Sequence, residues 1–230
     1  MQIERGHALH LDGIGRGRRA LDVLLSGTLL ILVIPVIVVS VVASAVALRA
    51  RPFFTQDRVG RHGHLFRFIK VRTLPVHVPG YIDKHQLDID QLPAVCRLMR
   101  RLHVDELPQL YLVLRGRMSL VGPRPELACL HDQLPESFAQ LRTSVAPGCT
   151  GLWQISESCT DLIGSAPEYD RFYLEHRSWR LDLYVLVRTA LKMVGIGRTI
   201  TLDDIPRWAA PQATTAVSSD TITVPAAAGR

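Results

Sequence analysis

From Leu24 to Leu48 the chain runs 25 residues without a charge. As a helix rising ~1.5 Å per residue this stretch is about 37 Å long, enough to cross a hydrocarbon core of about 30 Å. A secretory leader would have a shorter apolar region followed by a small-residue cleavage site. Here the apolar run continues to Arg49, and Ala43-Ser44-Ala45 lies inside it. Arginines flank both ends: Arg16, Arg18 and Arg19 before, Arg49, Arg51, Arg58 and Arg61 after. The positive-inside bias therefore chooses no orientation for a spanning helix. Pro35, near the middle, removes a backbone hydrogen bond and tends to bend the helix. Two arrangements remain open: a bitopic helix that tolerates its proline, or a re-entrant helix-break-helix with both ends in the cytoplasm.

Charge and hydropathy agree with a membrane-bound chain. The 230 residues carry a formal charge of +6, a pI near 9.5 and a mean hydropathy of +0.15. The first 72 residues hold eleven Lys/Arg against four acids, and the rest is net −1. Disorder and a single water-soluble globule are both disfavoured. Cations beside an apolar run point to anionic membrane lipids as partners, and with no recognisable nucleic-acid-binding motif no nucleic acid is expected. Four scattered cysteines lack disulfide-scaffold density and any Cys-x-x-Cys pair, which suits a reducing compartment and argues against zinc.

Beyond Arg49, Pro52 to Arg72 alternates apolar and polar residues around a glycine-rich turn and predicts a short hairpin. Pro75 to Pro93 reads as a loop. A helix is expected from about Val95 to Leu102, and a second amphipathic helix from Leu181 to Ile196. In His103-Val104-Asp105-Glu106-Leu107-Pro108, Asp105 has the position of an N-cap and Pro108 falls in the first helical turn. Taken alone, that signal also fits an ordinary capped core helix. Arg124, between Pro123 and Pro125, is a rigidly presented guanidinium suited to an oxyanion. The Pro147-Gly148-Cys149-Thr150-Gly151 turn either lets backbone approach a ligand or is a plain tight turn.

In order along the chain, Arg18-Arg19-Ala20-Leu21-Asp22, Phe54 to Gly60, Lys70-Val71-Arg72-Thr73, Asp105 to Leu110, Met118 to Glu126 and Pro147 to Gln154 resemble the bacterial sugar transferase family. These are monotopic phosphoglycosyl transferases. The resemblance implies a mainly helical α+β fold: a re-entrant membrane helix broken at Pro35, and a compact cytoplasmic catalytic domain with surface amphipathic helices and a short hairpin. It implies transfer of a sugar-1-phosphate from a nucleotide-sugar donor, UDP being the expected nucleotide, to polyprenyl (undecaprenyl) phosphate at the cytoplasmic face of the bacterial inner membrane. Asp105 would be the nucleophile and Glu106 its dyad partner, both within reach of Mg²⁺. Lys70, Arg72, Arg100 and Arg124 are the candidates for binding the anionic substrates.

The expected division is a flexible segment over 1–17, the membrane helix over 18–49, the catalytic domain over 50–205 and a disordered tail over 206–230. A homo-oligomer is left open. Four places depart from the family pattern. Leu112 stands where the family has Asn, Arg117 where it has Asp, and Ser156-Glu157-Ser158 where it has Ser-Gly-Arg. The Arg-Ile-Thr-x-x-Gly run ends as Pro93-Ala94-Val95-Cys96. The missing arginine motivates a competing reading, a catalytically weak membrane-surface scaffold that keeps the fold.

Overall fold

The computed structural model describes residues 4–78 and 91–210. Most of the expected loop at 75–93 and most of the expected tail fall outside these residues. One long helix, α1 (Glu4–Leu48), opens the chain, so helical backbone begins upstream of the expected boundary at Arg18. Pro35 lies inside α1 and the helix continues through it, where a break was expected. Among the described residues, Gly15–Leu48 is the one helix long and apolar enough to cross a membrane.

Its side chains are not uniformly exposed. Arg18, Ser26, Ser40 and Ser44 are buried, and Leu30 and Val33 pack on the core, forming one stripe down the helix. Small hydroxyl side chains let a helix approach its neighbour closely. The remaining faces are apolar and open, with Leu24, Ile31, Leu32, Val39 and Val46 among the most exposed.

The expected hairpin is present. β1 (Phe53–Val59) and β2 (Leu65–Val71) pair antiparallel with Phe54 opposite Lys70 and Arg58 opposite Phe66. Alternation puts Phe54, Gln56, Arg58, Phe66, Phe68 and Lys70 on one face, and Phe53, Thr55, Leu65, Arg67 and Ile69 on the other. The predicted arginine-rich helix is α2 (Ala94–Arg101), followed by α3 (Gln109–Leu114). β3 (Ser119–Val121) pairs in parallel with β4 (Gly148–Thr150). Between these strands lie the short helices α4 (Ala128–His131) and α5 (Glu136–Thr143), and beyond them α6 (Leu152–Ile155), α7 (Pro167–Glu175) and α8 (Trp179–Met193).

The glycines of the Pro147–Gly151 turn serve this packing. A Cβ on Gly148 would stand 2.1 Å from the Gly122 nitrogen, and one on Gly151 would stand 2.3 Å from the Gly122 oxygen. Backbone rather than ligand fills the space they leave, and the stretch read as a turn is strand β4 laid close against Gly122. One core gathers Phe66, Phe68, Leu110, Met118, Leu120, Trp153, Tyr173 and Val185. It also takes in Ala209 and Ala210, so the ordered domain runs past the expected boundary at 205.

Candidate active site

The Arg18-Arg19-Ala20-Leu21-Asp22 motif proves to be a docking element. The Arg18 guanidinium donates to the Tyr173 hydroxyl at 2.6 Å and pairs with Asp182. Arg19 donates to the carbonyls of Val113 and Leu114 at 2.5 and 2.7 Å, capping the carbonyl end of α3. Asp22 accepts from the Ser119 hydroxyl at 2.7 Å and from the Leu120 N–H at 3.0 Å, at the start of β3. At the other end of α1, the Ser44 hydroxyl donates to the Arg72 carbonyl at 2.5 Å.

Asp105 and Glu106 do not begin an α-helix as the capping pattern suggested. They occupy a 3-10 turn, Val104–Glu106, and α3 starts only at Gln109, after Pro108. The turn is entered through His103 in the left-handed region at φ 54°, uncommon for a residue with a side chain. No α-helix therefore begins at the dyad itself.

Asp105 is 5% exposed. Burial, with Glu106 alongside, pushes its carboxyl up to about 6 against the pull of Lys70, Arg100 and a backbone N–H. Burial also acts on Glu106, but Arg124, Lys70, His103 and the Gln109 side chain outweigh it and hold that carboxyl below the usual range. Arg124 Nη2 lies 3.8 Å from Glu106 Oε1. Burial lowers the Lys70 ammonium, Glu106 and Asp105 pull it up, and Arg100 and Arg124 push it down again. The two acids, Lys70, Arg100 and Arg124 thus form one electrostatic unit, assembled from β2, α2, the 3-10 turn and the Pro123–Pro125 loop.

The sixth candidate, Arg72, stands at the edge. Its guanidinium lies 5.7 Å from the Phe54 ring centre and its Nε donates to the Arg51 carbonyl at 3.0 Å. Lys70 shares that ring at 5.3 Å, and Arg100 is steadied by the Thr73 hydroxyl at 3.2 Å. Arg124 is held by its own backbone: its carbonyl accepts from Arg142 at 2.8 Å, and Arg142 is paired at 2.7 Å with buried Asp170. The bracketing prolines and this buried ion pair fix where the Arg124 guanidinium can reach.

Sequence reasoning passed over Arg58. It donates to the Pro125 carbonyl at 3.1 Å and to Gln56 at 2.9 Å, and stands 3.8 Å from Glu126. Burial and the Arg124 charge lower it to about 10, with Glu126 and Glu106 pulling the other way. Period-two alternation was the available signal, since Arg58 shares its strand face with Lys70's partner, Phe54. His103 and Gln109 were also missed as neighbours of Glu106. Gln109 follows it at i+3, a spacing that brings helical side chains together.

Mg²⁺ characteristically keeps water and substrate phosphate among its ligands and takes only one or two protein carboxylates. Adjacent Asp105 and Glu106 fit that donor set, and their mutual repulsion is what a cation would relieve. No group of three metal-ligating side chains occurs among the described residues. None of the four cysteines, all among the described residues, forms a disulfide. At the Ser156-Glu157-Ser158 departure, the Ser156 hydroxyl donates to the Trp153 carbonyl at 2.9 Å and Ser156 bridges to Ile200.

A family sequence model described as bacterial sugar transferase matches residues 15–195. The UDP-glucose:undecaprenyl-phosphate glucose-1-phosphate transferase of Caulobacter vibrioides is 34% identical over 200 residues, covering 82% of this chain and 74% of that protein. The galactosyl transferase CpsE of Streptococcus agalactiae is 35% identical over 159 residues, 63% of this chain but 34% of that protein. The uncharacterized sugar transferase EpsL of Bacillus subtilis is 40% identical over 147 residues, 62% of this chain and 69% of its own. Several curated relatives are thus much longer than the part this chain spans. The match extends from the docking motif on α1 through the acidic dyad to the end of α8, and the chain belongs to the bacterial sugar transferase family.

Proposed function

We propose that this chain transfers a sugar-1-phosphate from a UDP-sugar to undecaprenyl phosphate, initiating assembly of a membrane-linked glycan such as an exopolysaccharide or capsule. The observation that carries this reading is buried Asp105 beside half-buried Glu106, set among Lys70, Arg100 and Arg124. Two anionic substrates must meet a carboxylate there, and three cations offset the charge. The relatives' names supply the substrate classes.

In the first step an Asp105 carboxylate oxygen attacks the sugar-bearing phosphorus. The bond from that phosphorus to the bridging oxygen breaks, and uridine monophosphate leaves with the electron pair. In the second, a phosphate oxygen of undecaprenyl phosphate attacks the same phosphorus and releases the Asp105 carboxylate, giving a diphosphate-linked sugar lipid. Splitting the transfer lets a water-soluble donor and a membrane-bound acceptor react in turn at one nucleophile. Lys70, Arg100 and Arg124 hold phosphate oxygens in line, while Glu106, held ionised by Arg124, keeps the site acidic enough to hold a metal. Mg²⁺, bound by Asp105 or Glu106, would polarise the diphosphate and stabilise the charge that develops on the leaving phosphate.

The reading places the domain at the cytoplasmic face of the inner membrane, with both ends of α1 held on that side. Bonds from both Asp22 and Ser44 to one domain support that topology. The test is release of nucleoside monophosphate from a panel of nucleotide-sugars by purified protein, with and without undecaprenyl phosphate, alongside acid trapping of radiolabelled sugar phosphate on the protein. Release with a trapped adduct in the starting protein, both lost in Asp105→Asn, is expected. No release from any donor would leave the scaffold reading in its place.

A further inference from the structure

The departures at Leu112 and Arg117 are far apart in chemistry, one apolar and one cationic, yet both line a single open groove of about 490 Å³. The groove lies between the outer face of the hairpin and α3. Leu65, Ile69, Tyr111 and Leu112 supply apolar walls. Arg67, Arg115 and Arg117 line it as well, and all three are exposed. Of its hairpin residues, Thr55, Leu65, Arg67 and Ile69 share the face opposite Lys70 and Phe66 alone comes from the other, so it opens mainly on the side of the hairpin away from Lys70. Asp57 stands opposite Arg67 in the register and offsets part of its charge, leaving the cationic excess on Arg115 and Arg117.

The position of the groove indicates its occupant. Arg115 to Arg117 form the turn that ends α3, and the carbonyls of Val113 and Leu114 just before it are held by Arg19. A Cβ on Gly116, which has φ 73°, would lie 3.4 Å from the Arg19 guanidinium. Arg19 is the last cation before the apolar run, and Leu21, Leu24 and Leu25 just beyond it are exposed. The arginine turn therefore sits where α1 begins its apolar stretch, at the depth of lipid headgroups if α1 enters a bilayer. Half-exposed Tyr111, with the Arg115 guanidinium 6.0 Å from its ring centre, has the amphipathic character of a side chain at that depth.

We propose that this groove holds one anionic phospholipid, its phosphate on Arg115 and Arg117 and the start of an acyl chain along Leu65, Ile69 and Leu112. Guanidinium forks suit a phosphodiester, and the apolar walls exclude a free phosphate as the preferred ligand. With Asn and Asp at positions 112 and 117, the family's usual residues, the same walls would be more polar and less positive. The site is thus a property of this chain, separate from the dyad and independent of the transferase reading.

The full-length protein is reconstituted in phosphatidylcholine nanodiscs containing a trace of photoactivatable phosphatidylglycerol, or of photoactivatable phosphatidylcholine in a parallel sample. Cross-links are then mapped by mass spectrometry. The anionic probe should label residues within 65–69 and 111–117, and the zwitterionic probe should label them several-fold less. Removing one arginine's charge should lower labelling about fivefold, the effect of roughly 1 kcal/mol per cation at a membrane surface, and reversing it should lower labelling further. Arg117→Asp and Arg115→Glu change exposed side chains on the turn, and Arg67→Glu changes one on the hairpin, so the test does not depend on a single variant folding. Equal labelling by both probes, or labelling indifferent to all three substitutions, would overturn the proposal. So would loss of the anionic label in excess inorganic phosphate, which would make the site a reader of phosphate alone.

Discussion

At the residue scale, the chemistry depends on how differently two neighbouring carboxyls are treated. Asp105 is raised to about 6, mainly by burial and then by Glu106, whereas Glu106 is lowered because Arg124, Lys70 and His103 outweigh its burial. A nucleophile must be ionised, so kcat/KM should fall about tenfold per pH unit below ~6, as a pH–rate profile would show. The same shift affects stability in the opposite sense. Folded Asp105 binds its proton more tightly than an unfolded aspartate with a pKa of ~3.9, so the stability it contributes is complete below ~4 and lost as pH rises through ~6. Asp105→Asn should therefore abolish adduct formation yet unfold at a higher temperature at pH 7.5, by on the order of 2–3 kcal/mol, with no gain at pH 3.5. Thermal denaturation in detergent without metal checks both signs. Arg124 separates charge from geometry. Arg124→Gln removes the main influence lowering Glu106, so burial should raise that carboxyl and add a second ionisation to the acid limb. Arg124→Lys keeps the charge and should leave the limb in place, while donor KM rises about tenfold through loss of the guanidinium fork. Asp105, Glu106 and Arg124 were singled out in the sequence by patterned stretches read together with the family resemblance. Arg58 was not, because nothing local to β1 announces that the Pro125 carbonyl and Glu126 will fold across it.

At the element scale, legibility followed the length and regularity of each segment. The hairpin alternates over seven residues in each strand and was readable, whereas β3 and β4 have three residues each, too few to show any period. The start of α3 was misplaced because Asp105, Glu106 and Pro108 satisfy the cues for an α-helix N-terminus, and a 3-10 turn meets those cues equally well. Hydropathy recorded α1 as a continuous apolar run. It could not show that Ser26, Ser40 and Ser44 would be its buried stripe, since that depends on the surface waiting opposite. The elements around Arg124 yield a separable prediction. Arg142 and Asp170, with side chains 4% and 3% exposed, join α5 to α7 and support the Arg124 carbonyl. Removing one partner strands the other as a buried charge, so Asp170→Ala should cost about 3–5 kcal/mol in chemical denaturation. Replacing both with apolar residues should recover much of that stability. It should not recover donor affinity, because the Arg124 carbonyl still lacks the Arg142 guanidinium; a KM that recovers along with the stability would show that the ion pair does not position Arg124.

At the scale of the whole molecule, the arginines on both sides of the apolar run and the bonds at both ends of α1 answer one question, on which side of the bilayer each end lies. A straight helix from Asp22 to Ser44 would be about 33 Å long at ~1.5 Å per residue, yet Asp22 is bonded to Ser119 and Leu120 and Ser44 to the Arg72 carbonyl of the same domain. A bitopic α1 would have to abandon one set of these bonds, because the domain, with buried charges such as Asp170 and Arg142 in its interior, cannot follow the helix through hydrocarbon. Both ends should therefore share a side. Gly15, whose Cβ would meet nothing within 4 Å, and Arg61, which is exposed, are suitable positions for single cysteines. Native Cys129, exposed on α4, reports the side of the domain itself. A membrane-impermeant maleimide applied to intact spheroplasts should label none of Gly15→Cys, Arg61→Cys and Cys129, and applied to inverted vesicles it should label all three. Labelling of Gly15→Cys in spheroplasts with Arg61→Cys and Cys129 protected would make α1 a spanning helix and would require Asp22 to give up Ser119. The arginines before the run would then stand against the positive-inside bias with nothing in the fold to offset them.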